Sequence, residues 1–394
     1  MKLLDILKFS EEYLKKYSFS KPRLESEKII SHVLNLDRIT LYAYFDTELT
    51  LDQKEKIKNY LKAMARNRVN FEDLPKEEKK VSEEKDYTLE NRELLQKSIE
   101  YLAKNNVQDS KLDAEYIFAH VLRVKRTILS MNLRKEITTK EKEEIKNLLY
   151  KRAKDKKPLQ YLLGEWEFYG YPFKVDERVL IPRADTEILV EQCKFILNEI
   201  EKPKVLDIGT GSGAIAITIA KEIPNSIVLG ADISADALEV AVQNREINGV
   251  ENNLKFIKSD VFSNIKDIDY DMIISNPPYI PQEEYEELMP EVKMHEPQRA
   301  LTDNGDGYYF YKKISEEAPK YLKVGGYLAF EVGYNQAQEV SELMRKSNFE
   351  ILAIVKDYSG IERVVIGRKS GEESVNKISW LRLSFARGIN RTKT

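Results

Sequence analysis

The segment from Asn276 to Tyr279 combines a planar amide, two prolines and an aromatic ring directly after an apolar, strand-like run at residues 272–274. Prolines remove backbone donors and restrict φ, and a residue before proline is biased away from helix. The carbonyl groups around Asn276 therefore stay free to accept hydrogen bonds. Together with the side-chain oxygen of Asn276, they are suited to holding a planar NH2 group with its lone pair directed outward. Tyr279 is placed to pack on the flat face of such a substrate.

The same tetrapeptide also fits a purely structural role, because Asn-Pro-Pro makes a rigid turn at the end of a strand. Taken alone, it does not separate the two interpretations. The segments that precede it in the chain indicate which of the two roles applies.

A glycine-rich loop follows the apolar strand pattern of residues 204–208 and leads into a helical pattern over residues 214–220. Glycines allow positive φ and close approach of a ligand to the backbone, and the first turn of a helix offers free N–H groups. A ligand is expected at the carboxyl end of this strand. The residues predicted to surround it are Asp207, Gly209, Thr210, Gly211, Ser212 and Gly213.

Acidic residues at the next strand ends indicate which ligand this loop binds. Asp232 ends the following strand, where a carboxylate can accept hydrogen bonds from both hydroxyls of a ribose. The G-x-G-x-G spacing differs from the dinucleotide fingerprint, and no Walker lysine follows. Asp207 can attract a cationic group such as an α-amino group, and Asp260 can accept from an adenine amino group bordered by Val261 or Phe262. S-adenosyl-L-methionine combines all these groups. For each carboxylate taken alone, a helix cap or a turn is the competing explanation.

Composition sets broad limits on the function. The chain has 394 residues, of which 42% are hydrophobic and 33% charged, so we expect a globular protein of two or three domains. The net charge of −3 argues against a general electrostatic attraction to nucleic acid. The sequence shows neither a signal-peptide core nor a membrane-spanning run. A cytoplasmic protein is therefore predicted.

Few residues suit metal binding or nucleophilic catalysis. The only cysteine, Cys193, lies in a helical pattern and is predicted to be buried rather than reactive. The histidines His32, His120 and His295 are far apart in the sequence, and no metal site is expected. His32 and His120 fall on apolar helix faces and are predicted to be core residues.

The first 160 residues contain an internal repeat with an offset of 88. Residues 12–14 match residues 100–102, and residues 32–34 match residues 120–122, with identity at roughly a third of the aligned positions. Apolar residues recur at helical spacing in both copies. We therefore predict two small helical bundles, residues 1–70 and 88–157, joined by a charged linker at residues 71–87.

After the repeat, the pattern changes from helical to alternating strand and helix. Aromatic residues around Tyr169-Gly170 predict a β-hairpin linker at residues 158–180. Residues 181–368 predict an α/β, doubly wound domain. A basic tail, residues 369–394, is predicted to be a short amphipathic helix or a disordered end. The seven predicted strands are residues 204–208, 227–232, 254–257, 271–275, 327–331, 351–356 and 363–367.

These residues, in this order, resemble the class I S-adenosylmethionine-dependent methyltransferases, and within them the HemK/PrmC-type family. The resemblance runs from about Tyr87 to Gly367 and rests on several blocks. It implies a seven-stranded class I (Rossmann-like) methyltransferase domain, preceded by a β-hairpin and a small helical domain. The matching blocks are residues 158–164, 179–183, 185–187, 207–213, 276–279, 296–297, 331–333 and 357–363.

The resemblance also implies an activity, namely methylation of the glutamine in the Gly-Gly-Gln motif of class 1 peptide-chain release factors. Asn276 and the Pro277 carbonyl would hold the substrate amide, with Pro278 and Tyr279 beside it, and Asn276 would also border the cofactor. The sequence departs from the family pattern at Ala184, where proline is common, at Val261, where an aromatic residue often borders adenine, and in the duplicated helical domain. We expect the second copy to meet the release factor, because it adjoins the hairpin.

Two other functions remain open from the residues alone. An adenine-N6 methyltransferase acting on DNA or RNA would grip the same kind of planar NH2 group, with a flipped base on Tyr279. A non-catalytic binding module that keeps the fold would use the duplicated bundles as its working surface. The near-neutral charge and the blocks outside the site argue against the first, and the intact site residues argue against the second.

Overall fold

The computed structural model of the chain describes residues 2–34, 36, 38–74 and 86–371. It divides into two compact units, Met1–Glu84 and Lys85–Thr394. The predicted basic tail lies almost entirely outside the described residues, as does most of the predicted charged linker.

The first unit is a small helical bundle around one apolar core. The apolar residues of its first two helices recur on one face, so that these helices pack on each other and both pack on the fourth. Its helices are α1 (Leu3–Lys16), α2 (Pro22–Leu34), α3 (Arg38–Leu41) and α4 (Leu51–Asn67), with single 3-10 turns at Tyr42–Tyr44 and Phe71–Asp73.

The second unit begins with a bundle of the same design. Its long helices are α5 (Thr88–Lys104), α6 (Ser110–Val121) and α8 (Thr139–Ala153), which pack on one another as α1, α2 and α4 do in the first unit. Two short helices, α7 (Leu129–Asn132) and α9 (Leu159–Leu163), and a 3-10 turn at Arg126–Ile128 complete it.

Equivalent residues begin the last long helix of both bundles. Thr50 Oγ1 accepts a hydrogen bond from the backbone N–H of Gln53 at 3.2 Å, and Thr138 Oγ1 accepts from the N–H of Glu141 at 3.3 Å. In each case the side chain of that glutamine or glutamate accepts a hydrogen bond from the backbone N–H of the threonine. This capping box satisfies two donors that a helix start otherwise leaves unpaired.

The structure differs from two expectations about these bundles. Phe71 and Leu74, assigned to the linker, pack against the core of the first bundle, and the Phe71 N–H donates to Glu25 Oε2 at 2.8 Å. His32 and His120 were predicted to be core residues, but both side chains are exposed. That prediction was wrong because each lies in the last turn of its helix, at the rim of the bundle, where apolar periodicity no longer implies burial.

The predicted hairpin and sheet are both present. Strands β1 (Glu165–Phe168) and β2 (Tyr171–Lys174) form an antiparallel hairpin that turns at Tyr169-Gly170. A seven-stranded sheet follows with the order β5-β4-β3-β6-β7-β9-β8. The first five strands of that order are parallel, and β9 is antiparallel to both of its neighbours. The strands are β3 (Lys204–Ile208), β4 (Ile227–Asp232), β5 (Leu254–Lys258), β6 (Tyr270–Ser275), β7 (Leu322–Glu331), β8 (Phe349–Lys356) and β9 (Glu362–Lys369).

All seven predicted strands are confirmed, and the largest difference is at the start of β7, which begins at Leu322 rather than Tyr327. The helices of this domain are α10 (Ala184–Leu197), α11 (Ala214–Glu222), α12 (Ala235–Asn248), α13 (Gln282–Tyr285), α14 (Pro290–His295), α15 (Gln298–Leu301), α16 (Tyr309–Glu317) and α17 (Ala337–Lys346), with a 3-10 turn at Ala318–Lys320.

The sheet is covered on both faces, as expected for a parallel sheet. Val205 of β3 points to the layer formed by α10 and α11, whereas its neighbour Leu206 points to the layer formed by α16 and α17. The buried thiol of Cys193 lies in the first layer, which confirms its predicted burial. None of the helices in the described part of the chain combines the length and apolar composition needed to cross a bilayer.

A buried arginine links the second bundle to the domain built on the seven-stranded sheet, within the second unit. Arg152 Nε of α8 donates to Asp113 Oδ2 of α6 at 2.6 Å, and Arg152 Nη2 donates to Glu291 Oε1 of α14 at 3.2 Å. Arg152 and Asp113 are both buried. Removing one partner of such a pair leaves the other charge uncompensated away from water.

We predict that Asp113→Ala lowers the free energy of unfolding of the second unit by about 3 kcal/mol, because it removes the buried partner of Arg152 and leaves the guanidinium with the less buried Glu291 alone among the described residues. The measurement is urea denaturation followed by circular dichroism. Glu93→Ala, which removes one member of the exposed Glu93–Lys97 pair on α5, serves as the control and should leave the midpoint unchanged. Equal effects of the two substitutions would contradict the prediction.

Candidate active site

Three strand ends meet at one edge of the sheet. Ile208 at the end of β3 is paired with Ser275 at the end of β6, and Ser275 is paired with Phe330 in β7. The Ser275 hydroxyl donates to the carbonyl of Ile208 at 2.7 Å. Asn276, which follows Ser275, is therefore placed between the start of the glycine loop and Glu331, the last residue of β7.

Asn276 is held through one end of its amide. Its Nδ2 donates to Thr186 Oγ1 at 3.2 Å, and the Thr186 hydroxyl donates to Glu331 Oε2 at 2.6 Å. Among the described residues, none donates a hydrogen bond to Asn276 Oδ1 or to the carbonyl oxygen of Pro277. Two acceptors thus remain available at the strand end, which is the arrangement that the sequence predicts for gripping an NH2 group.

Glu331 is a buried carboxylate beside this amide. Burial raises its pKa to about 7, and the Asp185 charge also raises the pKa, whereas hydrogen bonds from Thr186 and Asn276 and the Arg363 charge lower it. The Arg363 guanidinium is itself paired with Asp357 at 3.1 Å and with Asp185 at 3.3 Å. Glu331 therefore titrates near neutral pH and has no direct ion pair among the described residues.

Tyr279 is fixed by residues that follow β7. Gln336 Nε2 donates to the Tyr279 carbonyl at 3.0 Å, and Gln336 Oε1 accepts from the Gly333 N–H at 3.0 Å. A Cβ atom on Gly333 would lie 2.9 Å from Tyr279 Cδ2, so the ring packs closely on this glycine. Burial raises the pKa of the Tyr279 phenol. Part of the ring surface is therefore taken up by the protein, and its contact with a substrate stays a prediction.

The glycine loop is bent tightly over the ends of β3 and β4. The N–H groups of its first two residues both donate to the carbonyl of Ala231, at 2.8 and 3.0 Å. Gly213 has φ +83°, and a Cβ atom there would lie 2.8 Å from Ile217 Cδ1, which only glycine avoids without strain. All the predicted loop residues, Gly209, Thr210, Gly211, Ser212 and Gly213, lie in this turn.

Asp232 lies directly beside the loop. Its Oδ2 accepts from the Gly211 N–H at 2.8 Å, and its Oδ1 accepts from the Ser234 N–H at 2.8 Å. Burial raises the pKa of this half-buried carboxyl, whereas the two backbone donors lower it. These bonds orient the carboxylate, and each oxygen keeps a lone pair for a ligand hydroxyl.

Asp207 lies deeper than its predicted role requires. It shares the α10 and α11 face of β3 with Val205 and is fully buried; its Oδ2 accepts from the Thr210 hydroxyl at 2.6 Å. Its Oδ1 has no hydrogen-bond partner within the described residues. Burial raises the pKa of this carboxyl to about 7. The side chain lies beneath the loop, so direct contact with a ligand amino group needs a local adjustment of that loop.

The segment after β5 departs further from expectation. Asp260 is exposed, and its Oδ1 accepts from Lys313 Nζ at 3.0 Å. Val261 has φ +51°, a strained conformation for a β-branched residue, and its side chain is buried. Phe262 is buried and stacks on Tyr321 at 4.4 Å, so it is not available to border an adenine ring. The aromatic character that suggested a ligand contact instead serves the core.

Sequence reasoning gave no role to the residues that support Asn276, although both fall in blocks of the family resemblance, residues 185–187 and 331–333. Thr186 and Glu331 stand 90 residues before and 55 residues after it, respectively, and no local pattern joins them. The rule that parallel strands end at one edge would have found Glu331, because it is the last residue of a predicted strand as Asp232 is. Thr186 carries no such signal, since its role depends on how α10 packs on the sheet.

Comparison with known proteins agrees with this geometry. The family model described as methyltransferase small domain matches residues 184–310. The model described as PrmC N-terminal domain matches residues 5–68 and 93–164, which fall in the two helical bundles.

Several relatives are similar over most of their length. The release factor glutamine methyltransferase of Fusobacterium nucleatum is 53% identical over 342 residues, which cover 86% of this chain and 95% of that protein. Proteins of the same name from Chlorobaculum tepidum and Streptococcus pneumoniae are 38% and 44% identical, covering 69% and 59% of this chain and 94% and 83% of theirs. The adenine alternative finds no support in these relatives. The chain is an S-adenosylmethionine-dependent methyltransferase, and it belongs to the family of release factor glutamine methyltransferases.

Proposed function

We propose that this protein transfers the methyl group of S-adenosyl-L-methionine to the side-chain amide nitrogen, N5, of the glutamine in the Gly-Gly-Gln motif of class 1 peptide-chain release factors. One observation carries this proposal: Asn276 Oδ1 and the Pro277 carbonyl form a pair of acceptors, to which no described residue donates, beside the glycine loop. A primary amide presents two N–H donors in one plane, which this pair matches. The names of the relatives support a release factor as the source of the amide.

The loop region fits S-adenosyl-L-methionine. Asp232 is oriented by backbone donors so that it can accept from ribose hydroxyls, and the exposed Asp260 can accept from the adenine amino group. Gly209 and Gly211 have open space where a Cβ atom would stand, so the loop exposes bare backbone there for a ligand to approach. Asp207 places a negative charge beneath the loop, with one buried oxygen unpaired among the described residues. When bound, the cofactor supplies an electrophilic methyl group on a sulfonium sulfur.

The residues of the chain position the acceptor nitrogen rather than activate it covalently. Asn276 Oδ1 and the Pro277 carbonyl bind the two amide hydrogens, so that the nitrogen lone pair is directed away from them. As the new N–C bond forms, the bond between the methyl carbon and the sulfonium sulfur breaks, so that a neutral thioether leaves and positive charge passes to nitrogen, where the same two acceptors stabilise it. The nitrogen then loses one proton to solvent. Tyr279 and Pro278 border the amide and limit access of water.

The second helical bundle, residues 88–157, is the part that we assign to release-factor recognition. The buried Arg152 pair joins this bundle to α14 of the methyltransferase domain, and Tyr116 packs on Trp166 of the hairpin with 5.6 Å between ring centres. These contacts hold the bundle in a fixed relation to the site within the second unit. Direct binding of nucleic acid or of a metal is not part of the proposal, and we expect the protein to act in the cytoplasm, where translation occurs.

The proposal is tested by incubating a purified class 1 release factor with the protein and S-adenosyl-L-methionine. Mass spectrometry of the peptide with the Gly-Gly-Gln motif should show a gain of one methyl group on the glutamine. A second reaction with bare DNA and RNA, followed with tritiated cofactor, should show no label. Labelled nucleic acid with an unmodified release factor would overturn the proposal.

We predict that Asn276→Ala lowers the turnover number for the release factor by at least about 100-fold, because it removes one of two acceptors that stabilise charge in the transition state. The dissociation constant for S-adenosyl-L-methionine, measured by calorimetry, should change less than about twofold. Asn198→Ala, at the exposed end of α10, is the matched control with expected wild-type turnover. Normal turnover by Asn276→Ala would refute the assignment of Asn276.

A second prediction concerns the buried charge of Asp207. Its pKa is about 7 in the folded protein and near the ordinary aspartate value when unfolded, so the ionised carboxylate destabilises the fold increasingly from about pH 4 to pH 7 and fully above that range. Asp207→Asn should therefore raise the melting temperature of the ligand-free protein by several degrees at pH 8 and by less at pH 5. The same substitution should weaken binding of the cationic cofactor about tenfold.

Scanning calorimetry at both pH values measures this effect. Asp155→Asn, at an exposed site, is the control with no expected change. An equal shift at pH 5 and pH 8 would show that the Asp207 charge is not the cause.

A further inference from the structure

The amide of Asn276 can take two orientations that differ by exchange of its oxygen and nitrogen, and only one of them suits the proposed reaction. With Oδ1 outward, the amide accepts a hydrogen bond from a substrate N–H. With Nδ2 outward, its own N–H would face the substrate N–H, and no hydrogen bond could form. The two orientations have almost the same shape, so packing alone does not select between them. The selection has to come from the hydrogen bonds at the inner end.

The inner end faces Thr186 Oγ1 at 3.2 Å and also the Glu331 carboxylate, whose pKa a hydrogen bond from Asn276 lowers. A hydroxyl has one proton to donate, and the Thr186 proton is directed to Glu331 Oε2 at 2.6 Å. Toward Asn276 the hydroxyl oxygen can then only accept, which requires Nδ2 to point inward. Thr186 and Glu331 are both buried, so water does not compete at this point.

We propose that the ionised Glu331 carboxylate, acting through the Thr186 hydroxyl, sets the orientation of the Asn276 amide and so keeps its oxygen facing the substrate. Glu331 and Thr186 are positioning residues in this arrangement, since they act through Asn276. The inference rests on the proposed function of Asn276. It explains why a threonine in α10 lies beside an acidic residue at the end of β7.

Protonation of Glu331 would reverse this chain of hydrogen bonds. A carboxylic acid can donate to Thr186 Oγ1, the hydroxyl can then donate to Asn276, and the amide oxygen turns inward. The charged groups that act on Glu331 are Asp185 of α10 and Arg363 of β9, and they have opposite effects on its pKa.

Two phenols also lie near Glu331. Tyr311 of α16 donates its hydroxyl to the Glu331 main-chain carbonyl at 2.9 Å, and Tyr279 follows β6. Burial raises the pKa of both phenols, so they stay neutral when Glu331 titrates. Because burial raises the pKa of Glu331 to about 7, the reversal of these hydrogen bonds falls in a pH range in which activity can be measured.

The test is the pH dependence of kcat/KM for the release factor between pH 5.5 and 8.5, at saturating S-adenosyl-L-methionine so that any weakening of cofactor binding by protonation of Asp207 does not enter. The wild-type protein should lose activity about tenfold for each pH unit below pH ~7, as expected for one essential ionised group. Glu331→Gln should lower kcat/KM at pH 8 by roughly tenfold or more and abolish this acid limb. A residue needed only for packing would leave the acid limb in place.

A second pair of variants tests the intermediate hydroxyl. Thr186→Val keeps the shape but removes the hydroxyl, and should lower kcat/KM at pH 8 about tenfold, whereas Thr186→Ser should restore most of it. Thr218→Val is the matched control, because that hydroxyl is buried and bonds only its own helix, at the Ala214 carbonyl, among the described residues. Cofactor affinity within about twofold of wild type shows that each variant is folded.

The outcomes separate the two proposals. A wild-type protein that methylates no release factor overturns the proposed function. A wild-type protein that methylates it, together with an unchanged acid limb in Glu331→Gln or full activity in Thr186→Val, overturns the inference alone. If Glu331→Gln does not fold, the valine and serine variants at Thr186 decide the question by the same pH profile.

Discussion

The parallel pairing of β3, β6 and β7 is the constraint on which the site depends. Main-chain hydrogen bonds fix Ile208 opposite Ser275 and Ser275 opposite Phe330, so the residues that follow each strand emerge side by side. A shift of one residue in this register would turn every side chain of a strand to the other face. The two buried faces exclude such a shift, because apolar residues that alternate along β3 contact different helix layers. The chemistry at the edge is thus specified by packing well away from it.

Near these strand ends, each of two buried carboxylates lies beside a hydroxyl group that it orients. Glu331 is costly to ionise in the interior, yet it is retained with a hydroxyl partner rather than a direct cation. Asp207 likewise lies under the glycine loop, bonded to the Thr210 hydroxyl. Each carboxylate is close to a segment whose geometry matters for ligand binding. Burial of an ionisable carboxyl group lowers the stability of the fold at both positions, which is typical of functional sites.

The features that sequence reasoning predicted are those with a local signal. The seven strands follow from apolar runs and the loop from its glycines, and Asn276 stands out through its prolines. What it missed depends on side chains that meet only in three dimensions, such as Thr186 with Glu331. The erroneous expectations have the same origin, since Phe262 and His32 were interpreted from their neighbours in sequence. Phe262 is buried because it stacks on Tyr321, and His32 is exposed because it lies at the rim of the bundle.

The two bundles share their capping boxes but differ at the position of Arg152. The equivalent residue of the first copy is Met64, which is buried in its own core. Duplication therefore preserved the interior design, while only the second copy carries the arginine that reaches α14. A substitution at Arg152 would therefore change a contact with α14 as well as the bundle that contains it, whereas a substitution at Met64 would change the packing of an apolar core.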